Sequence, residues 1–360
     1  MTKTEADYLE QLVAFPSVSS DKKASKKCAD FCAKFFKNSG MHTTVIDSEG
    51  YPSVVATSTK TKTPKILLQA HMDVVPAKAN MFTMKKSGSK LMGRGAFDMK
   101  FACASYMKLL DKLGDDISSY DFGIMLTFDE EIGGHNGVEA LLDQGYGGEV
   151  CILPDSGKNW HLESTANGVW WVKLSKKGKN AHASLPKQGI NSAEILINAM
   201  GDLYKLRQQY NYDDLTLSPT HIEGGKAINQ IPDYAEATLD IRYRNESIYN
   251  TVKAGLDNIC EKHGLDIETV ELGLCMSLDT SHQKVVEFIE VAEKVLGHQI
   301  PTAHSVGATD ARFFCARDVP CVVIQPNGGG RHSKDEWVDK KGVEQLTEIL
   351  RKYIAKYGII

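Results

Sequence analysis

Three apolar runs in this chain end on side chains that a protein core does not hold without compensation. KILLQAH stops at His71, FGIMLTF runs into Asp129, Glu130 and Glu131, and EVCILPD stops at Asp155. Together with VVAT at 54–57 they alternate with helical stretches, the pattern of helices packed around a sheet whose strand ends build a site. Neighbouring side chains on a strand point to opposite faces, so Asp129, Glu130 and Glu131 can share a site only where the strand gives way to a loop. Several acids in a low-dielectric spot are costly unless something positive offsets them, and a bound metal is the obvious candidate.

The bulk properties are those of an ordinary globular chain. Of 360 residues, 42% are hydrophobic and 24% charged, enough for a large core and two domains. A formal net charge of -4 gives no general attraction to nucleic acid or to anionic membranes. Lysine pairs such as Lys22–Lys23 and Lys176–Lys177 read as solvated faces. The start, MTKTEADYLEQLVAF, has the pattern of an amphipathic helix rather than a secretory signal, and no stretch is apolar enough to span a bilayer. The eight cysteines form no CxxC pair, and Cys28 and Cys32 share one helix face as packing residues. A cytoplasmic location is the expectation.

After about residue 167 the pattern changes. WWVKLSKKG, LTLSPTHIEGG and YAEATLDIRYR read as half-exposed strands, while INSAEILINAMGDLYKLRQQY and SIYNTVKAGLDNICEKHG read as helices. In the third strand Ala235, Ala237, Leu239, Ile241 and Tyr243 alternate with polar residues, which makes one face core. After residue 280, HQKVVEFIEVAEKVLG and PCVVIQP restore the first pattern. The expected fold class is therefore α/β: a mixed sheet flanked by helices over 1–167 and 281–360, split by an inserted α+β domain over 168–280 with an antiparallel sheet and two helices.

Metal-ligand side chains recur at strand ends and in glycine-rich loops: HMDVVP at 71–76, GRGAFDMK at 93–100, LPDSG at 153–157 and GGGRHSKDEW at 328–337. Zinc accepts imidazole and carboxylate, and a two-metal site needs a carboxylate able to bridge. His71 and Asp73, two apart on a strand, point the same way, which lets Asp73 orient the His71 ring. The ordered set of these motifs with FDEEIGG, GKNAHASLPKQGINS, GGKAINQIPD, DIRYR and GATDAR resembles the co-catalytic zinc peptidase and deacylase family. That family includes aminoacylase, acetylornithine deacetylase, succinyl-diaminopimelate desuccinylase, glutamate carboxypeptidase and several dipeptidases.

The resemblance implies two zinc ions bridged by Asp98, one also held by His71 and Asp155, the other by Glu131 and His332. Cobalt or manganese suits the same ligands. It implies Glu130 as general base and a cis Asp98–Met99 peptide. It implies a homodimer in which His182 reaches the partner subunit's active site, the alternative being a turn histidine on a sheet edge. Asn229 and Arg242 resemble residues that grip a substrate carboxylate, a task suited to a planar guanidinium fork. Arg244 reads as solvent-facing. Gly330, with Gly328 and Gly329, lets substrate approach the backbone or simply makes a turn. Thr309, Asp310 and Arg312 match a family motif near the site, or the first two cap a helix.

Asp129 reads as a solvent-facing or capping residue, Trp170 and Trp171 as strand packing, and Phe101 as bulkier than the small residue often found there. Aspartate at 155, where many deacylases have glutamate, leans toward a short peptide substrate and release of an amino acid with a free carboxylate. An N-acyl amino acid deacylase is the alternative enzyme, and a non-catalytic amino-acid-binding relative is the alternative of another class.

Overall fold

The computed structural model describes residues 3–157, 159–305 and 307–360. Met1 and Thr2, at the start of the expected first helix, lie outside them. The chain divides into two compact units: 1–164 with 277–304 and 309–360, and 165–276 with 305–308.

The first unit is built on a six-stranded sheet in the order 42–48, 51–57, 122–127, 66–71, 151–153, 321–323. The last four strands run parallel to one another, and strand 51–57 is antiparallel to both 122–127 and its hairpin partner 42–48 at the edge. Ile66–His71 and Phe122–Thr127 are buried along their whole length, as continuous apolar strands covered on both faces must be. Five longer helices pack with this sheet: Glu5–Val13, Lys22–Asn38, Lys100–Leu113, Gln283–Leu296 and Lys340–Tyr357. Their starts are set locally. Thr4 and Asp7 form a capping box, and the Asp21 and Asp339 carboxylates accept backbone N–H groups of the first turn. Leu9, Phe36, Leu68, Ile124, Ile152 and Leu350 join in one core. Cys28 and Cys32 are part of it, and so is Phe101, whose extra bulk therefore goes into the core. A second small sheet, ordered 328–329, 337–339, 90–92, 85–87, holds the late glycine-rich loop beside the segment leading to Asp98.

The second unit is a four-stranded antiparallel sheet in the order 215–224, 234–243, 168–177, 266–273. Ala235, Ala237, Leu239, Ile241 and Tyr243 are all buried, as the alternation requires, and pack with residues of helices Ser192–Arg207 and Glu246–His263. Trp170 is buried in this core. Trp171 is 41% exposed and donates its indole N–H to Asp240, so only one of the two tryptophans is a packing residue. No regular apolar alternation in the sequence marks the strand Asp266–Gly273, which lies exposed at the sheet edge. Among the described residues, no helix is long and apolar enough to cross a membrane.

Candidate metal centre

His71, Asp129 and Asp155 lie at or just beyond the carboxyl ends of adjacent strands, where the sheet edge opens and ligands of α/β proteins gather. Two groups of potential ligands form there: His71, Asp98 and Asp155, and Asp98, Glu131 and His332. Within each, one ligand atom per residue lies within 4.8 Å of the others. Asp98 belongs to both. Its Oδ1 is 3.0 Å from His71 Nε2 and its Oδ2 is 3.0 Å from His332 Nε2, so one carboxylate faces two sites. Glu131 Oε2 is 3.0 Å from His332 Nε2, and Asp155 Oδ1 is 3.7 Å from His71 Nε2. Donor atoms around one tetrahedral zinc stand roughly 3.4 Å apart, given bonds of about 2.1 Å. The nitrogen–oxygen donor sets and their spacing fit divalent ions. So does Asp155 Oδ1, a buried oxygen that accepts no hydrogen bond from the described residues.

The surroundings orient the ligands. His71 Nδ1 lies 3.1 Å from the Asp73 carbonyl oxygen, which can only accept, so Nδ1 donates and Nε2 is left to face Asp98 and Asp155. The Asp73 carboxylate is 3.4 Å from the same ring nitrogen. It also accepts from the backbone N–H groups of Glu130 and Glu131, at 3.2 and 3.1 Å, and from the Ser19 hydroxyl. Asp73 thus aims the two glutamates as well as the ring.

Asp98 follows Phe97 in a segment whose Asp98–Met99 peptide is cis. Glu336 Oε1 accepts from the N–H groups of Phe97 and Asp98, and its Oε2 pairs with buried Arg94 at 2.5 Å. Arg94 in turn donates to the carbonyl of His332, a residue held at φ +60°. Arg94 and Glu336 therefore tie both metal-ligand loops together. Sequence reasoning assigned neither a role, although both lie inside the GRGAFDMK and GGGRHSKDEW motifs.

Electrostatically the site favours positive charge. Burial opposes an imidazolium at His71, yet Asp155, Asp73 and Asp98 hold its pKa well above the ordinary value. Hydrogen bonds to Asp98 and Glu131 push His332 up to about 10. Asp98 is opposed by burial but held well below the usual carboxylate range by Arg331, His332 and His71. Glu130 stands outside both ligand groups, its Oε2 3.8 Å from His71 Nε2, and burial pushes its carboxyl well above the usual range.

Asp129 is not solvent-facing: it is 1% exposed, and its Oδ2 accepts from the N–H groups of Asn136 and Gly137, a capping role for that loop. Asp310 is also buried, both its oxygens lack a hydrogen bond among the described residues, and a Cβ on Gly134 would come within 2.2 Å of its Oδ1. Neither it nor Thr309 caps the helix Ala311–Cys315 through its side chain. Arg312 donates to the Gly133 carbonyl, so this motif braces the glycine loop that follows Glu131.

In the second unit, His182 is exposed in a two-residue strand paired with Gln230–Ile231, its Nδ1 2.7 Å from Ser184 Oγ. Asn229 is nearby, its carbonyl accepting from Ala183 N–H. The Arg242 fork is closed on Asp240, with Nε and Nη2 at 2.7 and 2.9 Å from its two oxygens. Arg244 is exposed and lies 3.7 Å from Asp214. Gly330, at φ +72°, forms a turn in which a Cβ would strike the Asp335 carbonyl.

A family model described as peptidase family M20/M25/M40 matches residues 67–356. The chain belongs to that family. It is a metallohydrolase of the M20 type. Succinyl-diaminopimelate desuccinylases of Rickettsia bellii and Rickettsia felis are each 26% identical over 97% of this chain and cover 95% and 99% of their own lengths. A tripeptidase from Staphylococcus aureus matches 98% of this chain and 97% of its own, with 20% identity and a TM-score of 0.81. An M20 metallo-carboxypeptidase from Sulfolobus solfataricus matches 99% of each chain, with 17% identity and a TM-score of 0.82. The structural matches show that the M20 fold, with its catalytic and dimerisation-type sheets, is shared.

Proposed function

We propose that this M20-family chain is a dizinc peptidase that cleaves a short peptide and releases an amino acid with a free carboxylate. His71 and Asp155 would hold one ion, Glu131 and His332 the other, and Asp98 both. The observation that carries the reading is the separation of two adjacent glutamates, one inside a ligand group and the other, Glu130, beside it and in neither. Zinc, when bound, supplies a Lewis acid for the scissile carbonyl and lowers the pKa of water to about 7. Glu130 takes the proton of the attacking water and returns it to the departing amine, helped by a carboxyl whose proton affinity burial raises. Asp73 keeps His71 and the Glu130 backbone in register.

Asn229 and Arg242 are proposed to bind the substrate carboxylate, which requires Arg242 to exchange Asp240 for substrate. Gly330 is proposed to let the substrate approach the backbone. His182, exposed on the second unit, is proposed to serve the site of a partner subunit in a homodimer.

The desuccinylase relatives favour a second reading, removal of an acyl group from an amino acid by the same machinery. One experiment separates the two: zinc-loaded protein against free dipeptides and matched N-acetyl and N-succinyl amino acids, with a chelated control. Chelator-sensitive dipeptide hydrolysis is expected. Preference for acylated amino acids would transfer the assignment to the deacylase reading, and sedimentation of a fully active monomer would remove His182 from it.

A further inference from the structure

The residue before the ligand His332 is Arg331, and its guanidinium lies against the carboxylates of the first metal position. Nε is 3.5 Å from Asp98 Oδ2 and Nη1 is 3.4 Å from Asp155 Oδ1. The contact neutralises charge without satisfying it, since Asp155 Oδ1 still accepts no hydrogen bond from the described residues.

Neutral groups hold the guanidinium there in addition to the two carboxylates. Nη2 donates to the Asp155 backbone carbonyl and lies 3.4 Å from Gln325 Oε1, and the group sits 6.0 Å from the centre of the Phe97 ring. Arginine stays charged at any working pH, so this is a fixed cation, unlike a histidine proton. An ion arriving between His71, Asp98 and Asp155 meets a positive charge beside two of its three ligands. It must bind against that charge or displace the guanidinium from its anchors.

We propose that Arg331 is a built-in cationic competitor that weakens metal binding at the His71, Asp98 and Asp155 position. The inference rests on the dimetal reading above. At the second position Arg331 approaches Asp98 within ion-pair distance, through the Oδ2 that also faces His332, whereas at the first position it approaches Asp155 as well, so the first position meets more of the charge.

The test is zinc titration of chelator-stripped full-length protein by calorimetry and by competition with a metal indicator. Arg331→Gln is expected to bind one of two zinc equivalents more tightly, by about 10- to 100-fold, the order expected for removing one nearby, partly screened unit charge. Arg331→Ala should agree with it, and Arg331→Lys, which keeps the charge, should stay closer to wild type. In an Asp155→Asn background the gain from Arg331→Gln should disappear, which assigns it to the first position. Circular dichroism and the unfolding midpoint check that each variant is folded. Unchanged or weaker zinc binding in both neutral variants overturns the inference and leaves the dimetal reading standing. A wild-type protein that takes up no zinc overturns both.

Discussion

At the scale of single residues, the site depends on separating like groups. Glu130 and Glu131 are neighbours in sequence, yet Glu131 pairs with His332 while Glu130 stays outside both ligand groups with a raised proton affinity. Glu130→Gln is expected to keep its metal content and lose about 10²- to 10⁴-fold in kcat, the range of general acid–base contributions. Loss of metal together with activity would instead make Glu130 a ligand. A second carboxylate pair lies deeper. Burial, and then neighbouring Asp129, push Asp310 up to about 7. Its folded pKa therefore exceeds the ordinary value of about 3.9. The stability it contributes is complete below about pH 4 and is lost as pH rises through about 7. Between those limits, wild type should lose up to about 1.4 kcal/mol per pH unit relative to Asp310→Asn. Urea unfolding of both chelator-treated proteins at pH 5, 6 and 7 reads that difference in slope. Parallel profiles would mean that Asp310 is ionised throughout.

At the scale of elements, the parts legible in the sequence are those whose signal is local. Ile66–His71 and Phe122–Thr127 announce themselves as unbroken apolar runs, and their ligands sit at their ends, within a few residues of the signal. The alternation in Tyr234–Tyr243 is equally local. The edge strand Asp266–Gly273 is exposed over most of its length and mixes apolar with polar residues, so no pattern marks it. The brace between Arg94 and Glu336 spans 242 residues and exists only once the small sheet pairs Trp337 with Met92. The placement of Asp98 depends on that brace. In Glu336→Ala, Arg94 would remain buried without its partner, which typically costs about 3–5 kcal/mol. The Phe97 and Asp98 N–H groups would lose their acceptor as well. Denaturant unfolding should show that loss, and metal affinity should fall by about 10- to 100-fold. Normal stability and normal affinity would mean that the loop holds Asp98 without help.

At the scale of the whole molecule, all five proposed metal ligands come from the first unit, and in sequence they run from His71 to His332. The second unit has its own core, around Trp170, Leu239 and Leu256, and supplies none of them. An ion that binds only the folded first unit stabilises it by RT ln(1 + [L]/Kd), about 2.7 kcal/mol at a hundredfold excess over Kd. Chelation is therefore expected to act on one unit. Amide hydrogen exchange should quicken in strands 66–71, 122–127 and 151–153, whose ends carry the ligands, and stay unchanged in strand 234–243. Equal acceleration in both would mean that metal binding is coupled to the second unit. Acceleration confined to the first unit would mean that the second unit's core, around Trp170, Leu239 and Leu256, holds without the ions.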